Sequence, residues 1–234
     1  MRELYQQDGY FEGGAEGYAD YAAQERSLRA TFRALLRKLA EHGATGGSLL
    51  EVGCGYGYFL DEAAAHFPRK MGCEMSPQAA EQARTFTADV RLGSIDSIPA
   101  DRKFDCIVAL HVVEHVYKPH EFVTRLRGHL TDSGIMVLAV PDMGGMWRRA
   151  LGGRWPSFKY PEHVVFYDQR SLFNLMRDAG LQAPRRIPYP HAFPLNEICA
   201  KFCMPWLPGV GGANVWLPGT TLAMMGRAAA EPTT

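Results

Sequence analysis

Residues 49–60 read Leu49-Leu50-Glu51-Val52-Gly53-Cys54-Gly55-Tyr56-Gly57-Tyr58-Phe59-Leu60. A short apolar run ends in an acid, and three glycines follow at alternate positions. The pattern predicts a strand, a tight turn and a helix start. Without a Cβ at the glycines, a ligand can lie against bare backbone and positive φ angles cost little. A dinucleotide loop needs Gly-x-Gly-x-x-Gly spacing to bring a pyrophosphate onto a helix N-terminus, and this run does not supply it. Glu51, just before the first glycine, suits a cationic ligand better than a diphosphate. The loop therefore favours a positively charged nucleoside.

The Glu-x-Gly-x-Gly-x-Gly run resembles motif I of class I S-adenosylmethionine (SAM)-dependent methyltransferases. Three later segments extend the resemblance in order. Met71-Gly72-Cys73-Glu74-Met75-Ser76-Pro77 reads as a second strand ending in Glu74, an acid placed to bond ribose hydroxyls, with Ser76 as N-cap and Pro77 at the first helical position. Val90-Arg91-Leu92-Gly93-Ser94-Ile95-Asp96 resembles the segment that frames the adenine, with Ser94 where the family often has an acid. The stretch from Phe104 to Val116 resembles the fourth strand and the active-site corner after it. The resemblance implies SAM as cofactor, held by Glu51, Gly53, Cys54, Gly55, Gly57, Glu74, Met75, Ser94, Ile95, Asp96 and Leu110. It also implies an α/β, Rossmann-like fold: a mostly parallel seven-stranded sheet, helices on both faces and an antiparallel last strand.

With 234 residues the chain suits one domain with a full core. The 25 basic and 25 acidic residues balance, so no global field gathers nucleic acid or an anionic membrane. Cys54, Cys73, Cys106, Cys199 and Cys203 are scattered, and the first three fall in predicted strands or the turn, as buried reduced thiols do. Cys199 and Cys203 are four apart but lack a second pair, which favours packing over metal binding. No apolar run opens the chain and no 18-residue apolar segment occurs, so a soluble, cytoplasmic protein is expected, as monomer or homodimer, with no membrane partner.

Residues 1–47 are expected to form an N-terminal flap and a helix, the latter marked by Leu28, Phe32, Leu35, Leu36 and Leu39. The core, 48–234, is predicted to run strand 48–52, helix 56–66, strand 70–74, helix 77–86, strand 89–92, strand 104–110, helix 119–130 and strand 134–140. Such alternation implies a parallel sheet with its ligand at the carboxyl ends of the strands. After Pro141 a loop rich in Gly, Trp and Arg breaks the pattern; a helix capped by Asp168 follows and stops at Gly180, and 220–226 is the expected last strand. Two stretches, about 142–165 and 184–219, are expected to form an acceptor-side insertion or lid. The second holds seven prolines with Phe193, Phe202, Trp206 and Trp216.

Methyl transfer from a sulfonium is an in-line displacement, and a hydroxyl acceptor must lose a proton. His111, His115 and His163 are the candidate bases, because imidazole titrates near neutrality. His163, in Pro161-Glu162-His163-Val164-Val165-Phe166, is the first choice and His111 the second; His115, beside Glu114, belongs to a pair that in the superfamily holds the corner together. Each has a structural alternative, a histidine fixing a turn. His111, Glu114, His115 and His163 also resemble the ligand set of metal-assisted O-methyltransferases, though such sets usually have an acid where His111 stands. That makes this one nitrogen-rich and less suited to magnesium; no metal is assigned.

Arg148, Arg149, Arg154 and Lys159 could clamp an acidic group of the acceptor or be a solvated basic loop. Tyr18 and Tyr21 could fold over the cofactor or pack at the surface. The expected reaction is methylation of an oxygen, less favourably a nitrogen, of a small molecule; the Trp147–Leu172 region resembles methyltransferases of natural-product and glycan assembly, which implies a sugar, polyketide or peptide-derived acceptor. Two other classes remain: a nicotinamide oxidoreductase, opposed by the glycine spacing, and a non-catalytic SAM-binding regulator or scaffold. A nucleic-acid methyltransferase is disfavoured by the neutral charge and by His111-Val112-Val113-Glu114 where amino-group modifiers carry Asn/Asp-Pro-Pro-Tyr/Phe.

Overall fold

The computed structural model describes residues 21–195 and 213–228. Helix α1 (Glu25–Glu41) leads into β1 (Ser48–Val52), α2 (Tyr58–Glu62), β2 (Arg69–Glu74), α3 (Pro77–Ala83) and β3 (Val90–Leu92). Then come β4 (Phe104–Leu110), α4 (Pro119–Gly128), β5 (Leu130–Pro141), α5 (Met146–Leu151), α6 (Gln169–Asp178) and β6 (Leu181–Ile187), with β7 (Ala192–Pro194), β8 (Asn214–Trp216) and β9 (Thr221–Ala228) after them. The main sheet has the order β3-β2-β1-β4-β5-β9-β6. β1 pairs in parallel with β2 and β4, β2 with β3 and β4 with β5, whereas β9 runs antiparallel to both β5 and β6. This is the Rossmann-like sheet expected from the sequence, including its antiparallel last strand.

The strands at the centre are apolar on both faces because each face is covered. One core gathers Leu35, Leu36 and Leu39 of α1 with Phe59, Leu60, Ala79, Ala80 and Val108. The other gathers Leu50, Ile107, Val123, Leu126, Met136, Leu172 and Met176. Buried apolar runs of this kind are what a doubly covered parallel sheet demands. The N-caps behave as read: Ser76 Oγ accepts from the Ala79 amide at 3.3 Å ahead of Pro77, and Asp168 Oδ1 accepts from the Ser171 amide at 2.8 Å. Among the described residues no helix is long and apolar enough to cross a membrane.

Several boundaries differ from expectation for identifiable reasons. The helix expected over 56–66 begins after Gly57, whose φ of 82° is left-handed, and decays into a 3-10 turn over Ala63–Ala65. A Cβ at Gly57 would stand 2.9 Å from Ala83 of α3, so the bare glycine lets the two helices approach. The helix expected to reach 86 stops at Ala83, ahead of β-branched Thr85, whose hydroxyl turns back to the Gln82 carbonyl at 2.7 Å. The helix expected over 119–130 ends at Gly128, and β5 starts at Leu130 rather than 134. Residues 184–187, expected in the lid, belong to the edge strand β6. That strand carries a register shift between Gln182 and Arg185, with Ala183 at φ 45°, so its burial has no period of two to read.

Three contacts tie the later chain to α1. The Thr31 hydroxyl accepts from the Ala192 amide at 2.9 Å, Ser27 Oγ donates to Asn214 Oδ1 at 2.6 Å, and β7 packs on α1. Cys54, Cys73 and Cys106 are buried and free, and burial pushes the Cys73 and Cys106 thiols up to about 12. Cys199, Cys203, Phe202, Trp206 and Tyr18 lie outside the described residues.

Candidate active site

A cavity of about 390 Å³ opens at the carboxyl ends of β1, β2 and β4, where open α/β sheets bind ligands. Of the residues singled out from the sequence, Glu51, Gly53, Gly55, Glu74, Met75, Ser94, Ile95, Asp96, Leu110, His111 and His115 line it. Cys54, Gly57 and His163 do not. Cys54 is turned into the core, its sulfur against Gly72, and Gly57 serves helix packing. Tyr21 lines the cavity, its hydroxyl 3.3 Å from where a Cβ on Gly55 would be and its ring stacked on Tyr58 at 5.6 Å. The sequence reading missed Phe32, Val112, Tyr117, Lys118, Glu121, Phe122 and Arg125 in the wall. Five of these sit on α4 or just before it, and the signal for them was their position directly after the corner. Arg125 pairs with Asp96 at the rim.

The two acids of the cofactor side differ in state. Glu74 receives three amides: Gly55 N to Oε2 at 2.9 Å, and Met75 N and Ser76 N to Oε1 at 2.8 and 2.9 Å. Burial still raises its pKa, with these donors opposing. Glu51 is buried, its Oε2 has no partner, and desolvation followed by the nearby charge of Glu74 lifts it well above the ordinary carboxylate range. A buried acceptor facing a cavity without a donor is costly in isolation. A cationic group in the cavity would relieve it.

The corner after β4 carries the histidines. His111 has φ 57° although it is not glycine, a conformation that costs of order 1–3 kcal/mol and persists only when surroundings enforce it. Its amide donates to the Ala139 carbonyl at 2.8 Å, and Nδ1 lies 3.3 Å from Glu114 Oε1. Burial works to raise the Glu114 carboxyl, but the hydrogen bond and charge of His111, with His115 behind them, hold it below the ordinary value. His115 bonds the Glu162 carbonyl through Nδ1 at 2.9 Å, and His163 bonds the Ser157 carbonyl through Nδ1 at 2.8 Å. The rings of His115 and His163 meet edge-on at 4.8 Å. Burial drives His163 down to about 4. The ligand atoms of Glu114, His115 and His163 lie within 4.8 Å of one another, and His111 is not in that group.

The aromatic stretch after β5 packs largely on itself. Trp155 meets Phe158 at 5.2 Å, Phe158 meets Phe166 at 5.3 Å, and the Arg148 guanidinium lies 5.6 Å over Phe158. None of the four basic residues of that stretch is in the cavity wall.

Residues 22–183, more than half of the chain, match a sequence profile described as a methyltransferase domain. The chain belongs to the methyltransferase-domain family. Its cofactor is S-adenosylmethionine. The domain is 26% identical over 163 residues to a Mycolicibacterium smegmatis protein described as a "probable S-adenosylmethionine-dependent methyltransferase", an alignment covering 68% of this chain and 62% of that one. It is 28% identical over 150 residues to a ubiquinone biosynthesis O-methyltransferase of Cereibacter sphaeroides, covering 57% of this chain and 59% of the relative. The chain thus spans about three fifths of the length of these curated relatives. Among solved structures, a SAM-dependent methyltransferase from Archaeoglobus fulgidus superposes with a TM-score of 0.63 at 15% identity, covering 88% of this chain and 98% of the other. Magnesium protoporphyrin IX methyltransferase from Synechocystis PCC 6803 with bound SAH gives 0.63 at 12% identity, covering 97% and 98%. The residues of the methyltransferase fit its cofactor: the orphaned Glu51 oxygen matches a ligand that carries positive charge, and the bare Gly55 turn leaves room for it.

Proposed function

We propose that this methyltransferase methylates an oxygen of a small-molecule acceptor, with His111 as the general base. The observation that carries the reading is the setting of His111: it lines the cavity, its backbone is held left-handed, and its Nδ1 faces the Glu114 carboxylate. A carboxylate on Nδ1–H leaves Nε2 with the lone pair, the state a base needs. His163, preferred on sequence grounds, lies outside the cavity wall against His115 and is held neutral by burial, so it supports the corner.

Bound SAM supplies a methyl group activated by its sulfonium. Glu51 would take the cationic end of the cofactor, Glu74 the ribose hydroxyls, Gly55 and Met75 the adjoining backbone, and Ser94 to Asp96 the adenine. Leu110 and His111 then face the acceptor. Oxygen is favoured over nitrogen by the presence of a base in the wall and by the ubiquinone O-methyltransferase relatives. The reading takes a sugar, polyketide or peptide-derived hydroxyl as the acceptor, and it includes a cytoplasmic protein, monomeric or homodimeric, that does not act on nucleic acid.

One observation favours a second reading. Glu114, His115 and His163 converge closely enough to hold a divalent ion, and Glu114 Oε2 is buried without a partner. Chelator treatment that abolishes turnover, restored by a divalent ion, selects that reading; full chelator resistance removes it.

The test begins with titration of S-adenosylhomocysteine, with Gly55→Asp as control, and continues with methyl-labelled SAM against catechol, hexoses and phenolic polyketides. Binding without turnover on any acceptor would leave the scaffold reading. Turnover that survives His111→Gln within about tenfold would overturn the base assignment, since removal of a general base costs roughly 10²–10⁴-fold.

A further inference from the structure

Beyond Glu114, a second arm reaches His111 from the far end of the chain. Thr221, the first residue of β9, is 4% exposed and places its Oγ1 3.5 Å from His111 Nε2. The same hydroxyl lies 3.3 Å from Nδ1 of His191, which precedes β7. His191 is stacked on Phe193 at 4.0 Å and stands 6.1 Å from His111, ring to ring, with Tyr189 edge-on to both. Neither Thr221 nor His191 is in the cavity wall.

We propose that Thr221 and His191 are positioning residues that fix the ring orientation and tautomer of His111. The inference rests on the reading of His111 as base. The direction of every hydrogen bond follows from one end. Glu114, an ionised carboxylate, can only accept, so His111 carries its proton on Nδ1. In the neutral ring that a general base requires, Nε2 is then an acceptor, and the Thr221 hydroxyl must donate to it. Thr221 Oγ1 in turn accepts from Nδ1–H of His191, a proton that Thr220 Oγ1 at 3.4 Å shares. Desolvation pushes His191 down to about 3, which keeps it a neutral imidazole with a single N–H to give.

The Thr221 contact is loose. It aims Nε2 before the acceptor arrives and, at 3.5 Å, competes only weakly for the lone pair with an acceptor hydroxyl approaching from the cavity. The left-handed backbone of His111 is consistent with a side chain pinned from both sides, since such a conformation survives only where its surroundings impose it.

Thr221→Val keeps the shape of the side chain and removes the hydroxyl; Thr221→Ser keeps the hydroxyl. With catechol as acceptor, the valine variant should lose about tenfold in kcat at unchanged KM and unchanged affinity for S-adenosylhomocysteine, the effect expected for one neutral hydrogen bond. The serine variant should stay within about twofold of wild type. Equal losses in both variants, or no loss in valine, would overturn the proposal. Nitrogen-15 NMR of histidine-labelled full-length wild type, bound to S-adenosylhomocysteine, supplies a readout independent of mutant folding and of the acceptor. His111 should appear as the Nδ1–H tautomer, and an Nε2–H tautomer overturns the arrangement. His111→Gln in the same assay separates the two levels: if it remains active the base assignment has failed, whereas an inactive His111→Gln beside an unaffected Thr221→Val defeats this inference alone.

Discussion

Glu51 and Glu74 end two adjacent parallel strands and share one wall of the cavity, yet only Glu74 is satisfied. Its two oxygens take three backbone amides, whereas Glu51 Oε2 takes none. Glu74 is therefore fixed by the turn it closes, and Glu51 is the acid with an oxygen still unmet.

Glu51→Gln should stabilise the ligand-free protein and weaken cofactor binding together. The folded-state pKa of Glu51 is raised, so above the ordinary glutamate range the folded state holds more protons than the unfolded one, and stability falls as pH rises toward the raised value. Glutamine removes that slope. Thermal unfolding at pH 8 should show a higher midpoint than wild type, while S-adenosylhomocysteine affinity drops about tenfold or more with the lost charge-assisted contact. A lower midpoint with unchanged affinity would refute the assignment.

Gly55→Ala and Gly57→Ala should separate binding from folding. A Cβ at Gly57 meets the Ala83 backbone at 2.9 Å, which cannot yield cheaply, and the left-handed φ adds strain. A loss of about 1–3 kcal/mol in urea unfolding is expected. At Gly55, φ 51°, the same backbone strain applies, but the neighbour is the Tyr21 hydroxyl at 3.3 Å, which can move. There the larger effect should be on cofactor titration, and the reverse ranking would contradict the two roles.

His163→Gln should blunt acid unfolding. Burial lowers His163 to about 4, so between roughly pH 6.5 and 4 the unfolded state binds the extra proton and stability is lost as pH falls. The variant should be less steep over that window by up to about 1.4 kcal/mol per pH unit. Glu51 slopes the other way in both proteins, so the difference isolates the histidine. Parallel curves would mean that His163 is not held neutral.

Thr31→Val removes the acceptor of the Ala192 amide, a buried bond across α1 and β7. An orphaned buried N–H costs about 1–3 kcal/mol, measurable by denaturant unfolding. Little change would mean that water or another acceptor replaces the hydroxyl.

The part of the cavity wall built by Glu51, Gly53, Gly55 and Glu74 was legible because its signals are local. Glu51, the glycines, Glu74 and Ser76 lie within one strand–turn–helix and the next strand, where spacing alone fixes geometry. The histidine corner was not. His163 and His115 are 48 residues apart in the numbering and touch only through tertiary packing, and Thr221 reaches His111 across 110 positions. Edge strand β6 was hidden by its bulge at Ala183, which also moved 184–187 out of the expected lid. Neither a long-range contact nor a bulge leaves a period to read.

Strand β9 lies between β5 and β6 in space but follows both in sequence. Without β9, β6 has no strand partner and nothing brings Thr221 to His111. On the proposed roles, the setting of His111 is completed by a strand that the chain delivers only after both of its neighbours, so the reacting corner is hostage to the seam that closes the sheet.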